Sequence, residues 1–499
     1  MSMITPLLPA STALPVWRRT GIRALETRLQ AQSAVPLMDL AGLATARLAL
    51  AIAPHAQQIW IVAGPGNNGG DGLEAALRLH QWGKNVRVNL LGEPQHLPAD
   101  AHRAWTRAQQ AGVTLQTGLP ASPPELGAQD LCIDALLGIG ATRAPDGPLL
   151  RAIHWLNAST APVLAIDLPS GLHADSGQAL GTPQALVNAH HTLTLLGTKP
   201  GLLMGQGRDV CGQLWLAPLG LTADASIWHP ADAKLNPPPV PTERHHASHK
   251  GSHGDVAIVG GESLSTRGMG MTGGAVLAAQ AALHAGAGRV LLCLLGQDAF
   301  APSATADLMR RELEALDLPR LTVVAGCGGG RAIAAPLGKL LQQSARLVLD
   351  ADALNCVAQD PWMQRLLTER TMRQQATVLT PHPLEAARLL GTDTAQVQAD
   401  RLEAAHQLAT RFDCCVVLKG SGTVIAAPAQ VPRINTTGNG LLATGGTGDV
   451  LAGLIGARLA GTGDGWQAAC DATWTHGQLA DIWPVGQALT ASRLAERLR

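Results

Sequence analysis

The chain has 499 residues, long for a single domain, and two domains of about 220 to 260 residues are the expectation. It is 46% hydrophobic and 15% charged with a formal net charge of zero, which argues against an electrostatic attraction to nucleic acid or to an anionic membrane. Tyr is absent and Phe occurs twice, so cores must rest on Leu, Val, Ile and Ala, and stacking platforms for bases are poorly supplied.

The opening stretch MSMITPLLPASTALPVWRRTG has no basic region ahead of an apolar core, and its prolines break the short apolar segments. It does not read as a signal peptide. No apolar run free of turn signals reaches the roughly 18 residues of a membrane span. The eight cysteines form no CxxC pair and no zinc-finger spacing. Cys414 and Cys415 are neighbours in the apolar run FDCCVVLKG, and adjacent strand residues face opposite ways. Buried thiols in a reducing, cytoplasmic setting are the expectation.

Along the first half, apolar strands alternate with helical patterns. QQIWIVAG reads as a strand, DGLEAALRLHQWG as a helix closed by Gly83, and VRVNLLG as the next strand. HRAWTRAQQAG (helix), DLCIDALLG (strand), RAIHWLNAS (helix) and APVLAIDLPSG (strand) follow. Such alternation predicts a parallel sheet covered on both faces. Residues 221–254 change character, with Pro237, Pro238, Pro239 and Pro241 among them. A Pro-rich linker is expected at 226–244, between domains at 1–225 and 245–499. His245, His246, His249 and His253 lie close by, but without carboxylate or cysteine partners they read as solvated rather than as a metal site. The second half repeats the style. GDVAIVGG, GRVLLCLLG, LTVVAG, ARLVLDAD, ATVLTPHP and CCVVLKGSGTVIAAP read as strands, with helices such as GGAVLAAQAALHAGAG and LEAARLLG between them.

In such sheets ligands sit at the carboxyl ends of the strands. GPGNNG, at 64–69, formally matches the dinucleotide fingerprint after a strand and before a helix, and Glu93 ends the next strand. Asn67, Asn68 and Asp71 load that turn with amide and carboxylate groups, which suit a polar ligand or a cation as well as a phosphate. The plainer alternative is a tight turn with Asp71 as a cap. Asp134 ends DLCIDALLGIG ahead of Gly138 and Gly140, and Asp167 ends VLAIDLPSG three residues before Ser170. Three polar strand ends at one sheet edge favour a site.

GPGNNGGDGL, DALLGIG and IDLPSG, preceded by RALE at 23–26 and LMDLAG at 37–42, resemble the YjeF N-terminal domain family over roughly residues 15–220. That family is the NAD(P)H-hydrate epimerase, and the resemblance implies a Rossmann-like three-layer α/β sandwich. It implies a substrate loop at Asn67, Asn68, Gly69, Gly70 and Asp71. A second substrate segment would be Gly138, Ile139, Gly140, Ala141, Thr142, Arg143 and Ala144, with Asp167 as the substrate-contacting acid–base group. It also implies a potassium site on Asn68, Asp134 and Ser170, whose oxygen donors suit a hard cation. Leu73 stands where the family has Tyr, a packing change in a chain without Tyr.

The second glycine-rich stretch is NGLLATGGTGD, 439–449, followed by the helical run VLAGLIGARLAG. It is not a Walker loop, because no Gly-Lys-Ser/Thr follows. Glycine N–H groups and the positive end of a helix can line an anion pocket, and Asp449 lies at that helix start. A carboxylate beside phosphate is repelled by it, which favours a proton acceptor over a phosphate ligand, with an N-cap as the alternative. The pattern resembles the ribokinase-like superfamily. HKGSHGDVAIVGG, GMTGGAVLAAQAALHAGAG, DADALN, TPHPLEAARLLG, VLKGSGTVIAAP and NTTGNGLLATGGTGDVLAG together resemble the YjeF C-terminal domain over roughly residues 240–499.

That family is the ADP-dependent (S)-NAD(P)H-hydrate dehydratase, a ribokinase-like three-layer α/β sandwich. The resemblance places ADP on Lys419, Gly420, Ser421, Gly422 and Thr423, and on the loop Asn439, Gly440, Leu441, Leu442, Ala443, Thr444, Gly445, Gly446, Thr447 and Gly448. It places the hydrate on Ala275, Gly328, His382 and Asp449, with Asp449 as the catalytic base and magnesium bridging the ADP phosphates. Two departures stand out. The family's GPGLG reads Gly326-Cys327-Gly328-Gly329-Gly330, and its PHPGE reads Pro381-His382-Pro383-Leu384-Glu385. His382, between two prolines, could equally be structural. The combined resemblance implies a chain that acts on NADHX and NADPHX, needs neither nucleic acid nor membrane, and has the capacity to form homo-oligomers. Two rivals are a ribokinase-like kinase of a vitamin precursor, which leaves the first half idle, and a non-enzymatic scaffold. Zero net charge and the retained Asp134, Asp167 and Ser170 argue against the scaffold.

Overall fold

Ile59–Ala63, sequence IWIVA, has all five residues buried, as a strand covered on both faces requires. In the computed structural model the described residues are 3–222, 225–241, 245–296 and 306–498. They divide into two compact units, one built on Leu14–Ala233 and the other on Lys234 onward.

The sheet of the first unit runs, in spatial order, Thr5–Pro6, Gln213–Ala217, His191–Leu195, Val163–Ile166, Leu131–Ala135, Ile59–Ala63, Val86–Leu90 and Thr114–Thr117. Thr5–Pro6 pairs antiparallel and every other neighbour is parallel. Alternate residues of Ile59–Ala63 enter different cores. Ile59, Ile61 and Ala63 belong to one apolar cluster, and Trp60 and Val62 to another. The unit is therefore a three-layer sandwich. The chain leaves Ile59–Ala63 toward Val86–Leu90 on one side and returns at Leu131–Ala135 on the other. That reversal is the switch point of a doubly wound sheet, where a crevice opens beyond the strand ends.

The second unit repeats the scheme. Its strands lie in the order Met309–Arg310, Arg289–Leu295, Asp255–Glu262, Thr322–Ala325, Arg346–Leu349, Thr377–Leu379, Cys415–Leu418, Val424–Ala426 and Arg433–Ile434. Pairing is parallel as far as Cys415–Leu418, and the last two steps are antiparallel. The switch point falls between Asp255–Glu262 and Thr322–Ala325. Helices Thr272–His284 and Thr447–Thr462 share one apolar cluster with Val256, Ile258, Val324 and Val348.

The structure refines several sequence expectations. The first-unit helix begins at Asn67, not Asp71, so most of the glycine-rich turn is already helical. The later helix begins at Thr447 rather than Val450. CCVVLKGSGTVIAAP is two strands folded back through a turn. Strands Thr114–Thr117, His191–Leu195 and Gln213–Ala217 went unread, because they are short or mix polar and apolar residues. The Pro-rich stretch holds a short helix, Ala225–Trp228, and Lys234 and Leu235 pair with Arg433 and Ile434. All eight cysteines are free, and seven are buried. Among the described residues no single helix is long and apolar enough to cross a membrane.

Candidate active sites

Gly64 follows Ile59–Ala63 at the switch point of the first unit, and a Cβ there would lie 1.9 Å from the Leu136 carbonyl oxygen. Only glycine lets the two strand ends approach so closely. A Cβ at Gly69 would lie 2.0 Å from the Gly64 carbonyl oxygen, and one at Gly70 would strike the Met38 sulfur at 2.7 Å. These glycines let the helix start press against the strand end. Gly69 and Gly70 are buried and do not line the cavity, whereas Asn67, Asn68 and Asp71 do.

That cavity has a volume of about 670 Å³. Gly138, Ile139, Gly140, Ala141 and Asp167 also line it, with Glu26 and Lys199. Thr142, Arg143 and Ala144 are exposed and lie outside its lining, and so does Glu93, which begins a short 3-10 turn. Beneath the floor Asp134 is fully buried. Its Oδ1 accepts from Ser170 Oγ at 2.6 Å and Leu136 N at 3.1 Å, and its Oδ2 accepts from Ser170 N at 2.8 Å. Burial pushes this carboxyl up to about 6, against the lowering effect of the Ser170 and Leu136 hydrogen bonds.

Asp134 and Ser170 bond to each other, Ser170 Oγ accepts from Leu137 N at 2.9 Å, and Asn68 lies beside the next residue, where a Cβ at Gly138 would be 3.4 Å from Asn68 Oδ1. Asn68 is buried with its Nδ2 end unpartnered among the described residues. Turned about Cβ–Cγ, that end would present a carbonyl oxygen. A buried carboxylate, a hydroxyl and a free amide end form an oxygen-rich set that suits a potassium ion.

Lys199 was not singled out from sequence. It lies in GTKPG just beyond His191–Leu195 and is fully buried. Its ammonium is paired with Asp167 Oδ1 and donates to Thr194 Oγ1 at 3.0 Å and the Leu195 carbonyl at 2.8 Å. Asp167 itself is left-handed, φ 70°. Burial, then repulsion from Asp167 and Glu26, pushes Asp71 well above the usual carboxylate range, and burial and Asp167 raise Glu26 likewise. The cavity therefore holds an ion pair beside two carboxyls biased toward their protonated forms.

In the second unit the strand ends converge in the same way. Asp350 follows Arg346–Leu349 and is buried. Its Oδ1 accepts from Lys419 Nζ at 2.6 Å and Thr380 Oγ1 at 2.7 Å. Burial alone would lower the Lys419 pKa, but Asp350 and Glu385 outweigh it and hold the ammonium above its ordinary value. Asp350 was legible only as part of DADALN, with no role attached.

Asp449 sits in the first turn of Thr447–Thr462, entered through Gly446 at φ 91°. Burial, then Asp350, pushes its carboxyl up to about 6. Ala275 is fully buried one residue after Gly274, whose absent Cβ would lie 3.2 Å from Asp449 Oδ1 and 3.1 Å from Gly328 N. Ala275, Gly328 and Asp449 are therefore brought together, and Gly328 is left-handed at φ 56°.

His382 caps the helix Pro383–Leu390. Its Nδ1 accepts from Leu384 N and Glu385 N, both at 3.2 Å, while Glu385 Oε2 accepts from His382 N at 2.8 Å. An accepting Nδ1 assigns the proton to Nε2, 3.1 Å from Glu385 Oε1. Burial, then the Lys419 cation, lowers this imidazole below its ordinary value, and burial raises Glu385 to about 7. The side chain is still half exposed.

The loop Asn439–Gly448 is largely exposed and tied at both ends. Asn439 Nδ2 donates to the Ala480 carbonyl at 2.9 Å, and Asn439 Oδ1 accepts from Leu441 N at 3.0 Å. Thr447 Oγ1 donates to the Leu442 and Thr444 carbonyls. Buried His476, pushed down to about 4 by burial, contacts the Thr447 carbonyl at 2.9 Å. Lys419 faces the far side of this loop, 3.6 Å from a Cβ placed at Gly448. The turn Lys419–Thr423 and the glycine loop therefore meet. Cys327, Asp350 and Asp449 bring ligand atoms within 4.8 Å of one another. A thiol pushed up by burial and a lysine-paired carboxylate are poor donors for a hard cation, so these residues do not form a magnesium cage.

Two doubly wound units, each with acid–base groups at its switch point and one with a glycine loop on a helix start, define a two-domain α/β enzyme. Residues 34–201 match the family described as YjeF-related protein N-terminus, and residues 256–498 match the family described as NAD(P)H-hydrate dehydratase. The bifunctional NAD(P)H-hydrate repair enzyme Nnr of Escherichia coli (strain K12) is 36% identical over 491 residues, covering 95% of this chain and 90% of its own. That of Coxiella burnetii (strain RSA 493 / Nine Mile phase I) is 34% identical over 482 residues, 93% of this chain and 94% of its own. The chain belongs to the bifunctional NAD(P)H-hydrate repair enzyme family. Among solved structures, the ADP/ATP-dependent NAD(P)H-hydrate dehydratase from Bacillus subtilis co-crystallised with ATP/Mg2+ is 28% identical. It covers 51% of this chain and 91% of its own, with a TM-score of 0.44.

Proposed function

We propose that the first unit interconverts the R and S forms of NADHX and NADPHX, and that the second dehydrates the S form with ADP, releasing AMP and phosphate. The observation that carries this reading is the pairing of an acid–base cavity in one unit with Asp449 beside a glycine loop and Lys419 in the other.

In the first unit Asp167, held by Lys199, takes the proton of the C6 hydroxyl. The C6–N1 bond opens to an aldehyde as N1 gains a proton, and re-closure on the other face of the carbonyl, with the N1 proton lost and one returned to oxygen, gives the other epimer. Asp71 and Glu26 line the same cavity and offer protons. Asn67, Asn68 and Gly138 to Ala141 embrace the substrate, and Asn68, Asp134 and Ser170 would hold a potassium ion. A cation there would balance the buried Asp134 charge and fix the Leu136–Ala141 segment.

In the second unit hydroxide is a poor leaving group. Asp449 takes the C6 hydroxyl proton, and the freed oxygen attacks the terminal phosphorus of ADP, releasing AMP. Phosphate then leaves C6 with its bonding pair as C5 loses a proton, which restores the ring double bond. Lys419 and the N–H groups of Gly445, Gly446 and Gly448 meet the phosphate charge, and a magnesium ion bound to the ADP phosphates would neutralise part of it. Ala275, Gly328 and His382 border the hydrate. The setting is cytoplasmic, where reduced nicotinamide nucleotides and ADP coexist.

The test is to incubate the purified chain with mixed R and S NADHX, potassium, magnesium and ADP, and to follow the absorbance of reduced nicotinamide. Complete, ADP-dependent recovery of NADH supports both activities. Recovery of the S fraction alone removes the epimerase assignment, and no recovery removes the dehydratase.

A further inference from the structure

Arg401 opens the helix Arg401–Phe412, yet its side chain is only 2% exposed. A cation is disfavoured twice there, by the positive end of the helix and by burial. Burial lowers its pKa to about 10, and no acidic neighbour contributes to the shift. The guanidinium remains charged at neutral pH without a carboxylate partner among the described residues.

It spends its donors on one turn. Nη2 donates to the carbonyls of Leu418 at 3.1 Å, Lys419 at 3.2 Å and Gly422 at 3.4 Å, and Nη1 donates to Gln398 Oε1 at 2.7 Å. The turn is shaped to receive it. Gly420 has φ 139° and Gly422 φ 66°, and a Cβ at Gly420 would lie 2.9 Å from Arg401 Nη1. Among the described residues the N–H groups of Gly420, Gly422 and Thr423 have no hydrogen-bond acceptor. Gly422 is nonetheless buried.

We infer that Arg401 is a positioning residue for the nucleotide. It gathers the Leu418, Lys419 and Gly422 carbonyls on one side of the turn and leaves the Gly420, Gly422 and Thr423 N–H groups as an anion nest for an ADP phosphate. Successive N–H groups around left-handed residues form such nests, and here the Lys419 ammonium adds to the field. The inference rests on the reading that Lys419–Thr423 contacts ADP.

The experiment uses the full chain with Arg401→Lys, Arg401→Gln and Gly420→Ala, the last of which presses a Cβ onto the guanidinium from the turn side. KM for ADP, kcat, KM for S-NADHX and calorimetric ADP binding are measured, with a thermal melt of the full chain as a check on folding. KM and Kd for ADP are expected to rise about tenfold, while kcat at saturating ADP and KM for the hydrate stay within about threefold. Gly420→Ala is expected to show the same ADP-selective loss even where an Arg401 variant does not fold. Variants that lower kcat but bind ADP as tightly as the parent would make Arg401 a structural brace and overturn the inference. A parent chain that does not bind ADP would overturn the nucleotide reading and this inference with it.

Discussion

Lys199 buries its ammonium against the carboxylate of Asp167, and that carboxylate hangs from a left-handed backbone at φ 70°. The pair fixes the direction of the carboxylate proposed as the acid–base group of the first cavity. Removing one partner of a buried pair leaves the other uncompensated, at about 3–5 kcal/mol. Lys199→Met is therefore expected to destabilise the first unit and to cut R-to-S interconversion at least about a hundredfold. Asp167→Asn keeps the left-handed backbone, which Asn tolerates as Asp does, but leaves the Lys199 ammonium uncompensated, so it should both destabilise the first unit and lose the rate. Epimerisation of R-NADHX, measured beside dehydration of pure S-NADHX, checks this. Equal losses in both reactions would refute a role confined to the first cavity.

Asp449 offers a pH test. Its carboxyl is pushed up to about 6 by burial and by Asp350. As a base it works only when ionised. The kcat for dehydration should rise as pH increases through about 6 and then level, and fall off as pH drops below that value. Asp449→Asn should lower kcat by about two to four orders of magnitude and abolish this limb, with ADP binding retained. A wild-type profile flat between about pH 5 and 7 would remove Asp449 as the base.

What could be read from sequence divides along a physical line. GPGNNGGDG and NGLLATGGTGD are legible because glycines, amides and a carboxylate at a strand–helix junction carry a local signature. Asp134, Asp167 and Ser170 are legible as strand ends in one sheet. Lys199 is not, because its meaning depends on a partner 32 residues away and on complete burial. Asp350 and Arg401 are hidden for the same reason, since Lys419 lies 69 residues from the one and the turn carbonyls 17 to 21 from the other. His382 shows the converse. Its motif was legible, but only the structure reveals that it caps a helix. The strand Thr114–Thr117, with the sequence TLQT, carries too few apolar residues to announce itself.

Potassium should act on stability as well as on rate. Among the described residues buried Asp134 has Ser170 and the Leu136 amide as partners but no basic side chain among its hydrogen-bond donors, and Asn68 offers an unpaired amide end. An ion that binds only the folded state raises the melting temperature by mass action. Replacing sodium by potassium at equal ionic strength should raise the first unit's Tm by about 2–4 °C, the response to about 1 kcal/mol in a domain of this size. Asn68→Ala should shift the half-saturating potassium concentration upward. A thermal melt that responds equally to both ions would argue against the site.

The last prediction concerns glycines that never touch a ligand. A Cβ at Gly69 would lie 2.0 Å from the Gly64 carbonyl oxygen and 2.9 Å from its carbon, both backbone atoms of a buried strand end. Neither can move without dragging Asn67 and Asn68 from the cavity wall. Gly69→Ala is expected to cost about 1–3 kcal/mol, the usual range for overpacking, and to reduce epimerisation more than dehydration. Gly66 is the control. It precedes the same helix at φ −106°, and a Cβ there meets nothing within 4 Å. Gly66→Ala should change stability by no more than about 0.5 kcal/mol. Denaturant unfolding of both variants decides the matter. If Gly69→Ala is as mild as Gly66→Ala, close backbone approach is not what the third glycine of this turn provides.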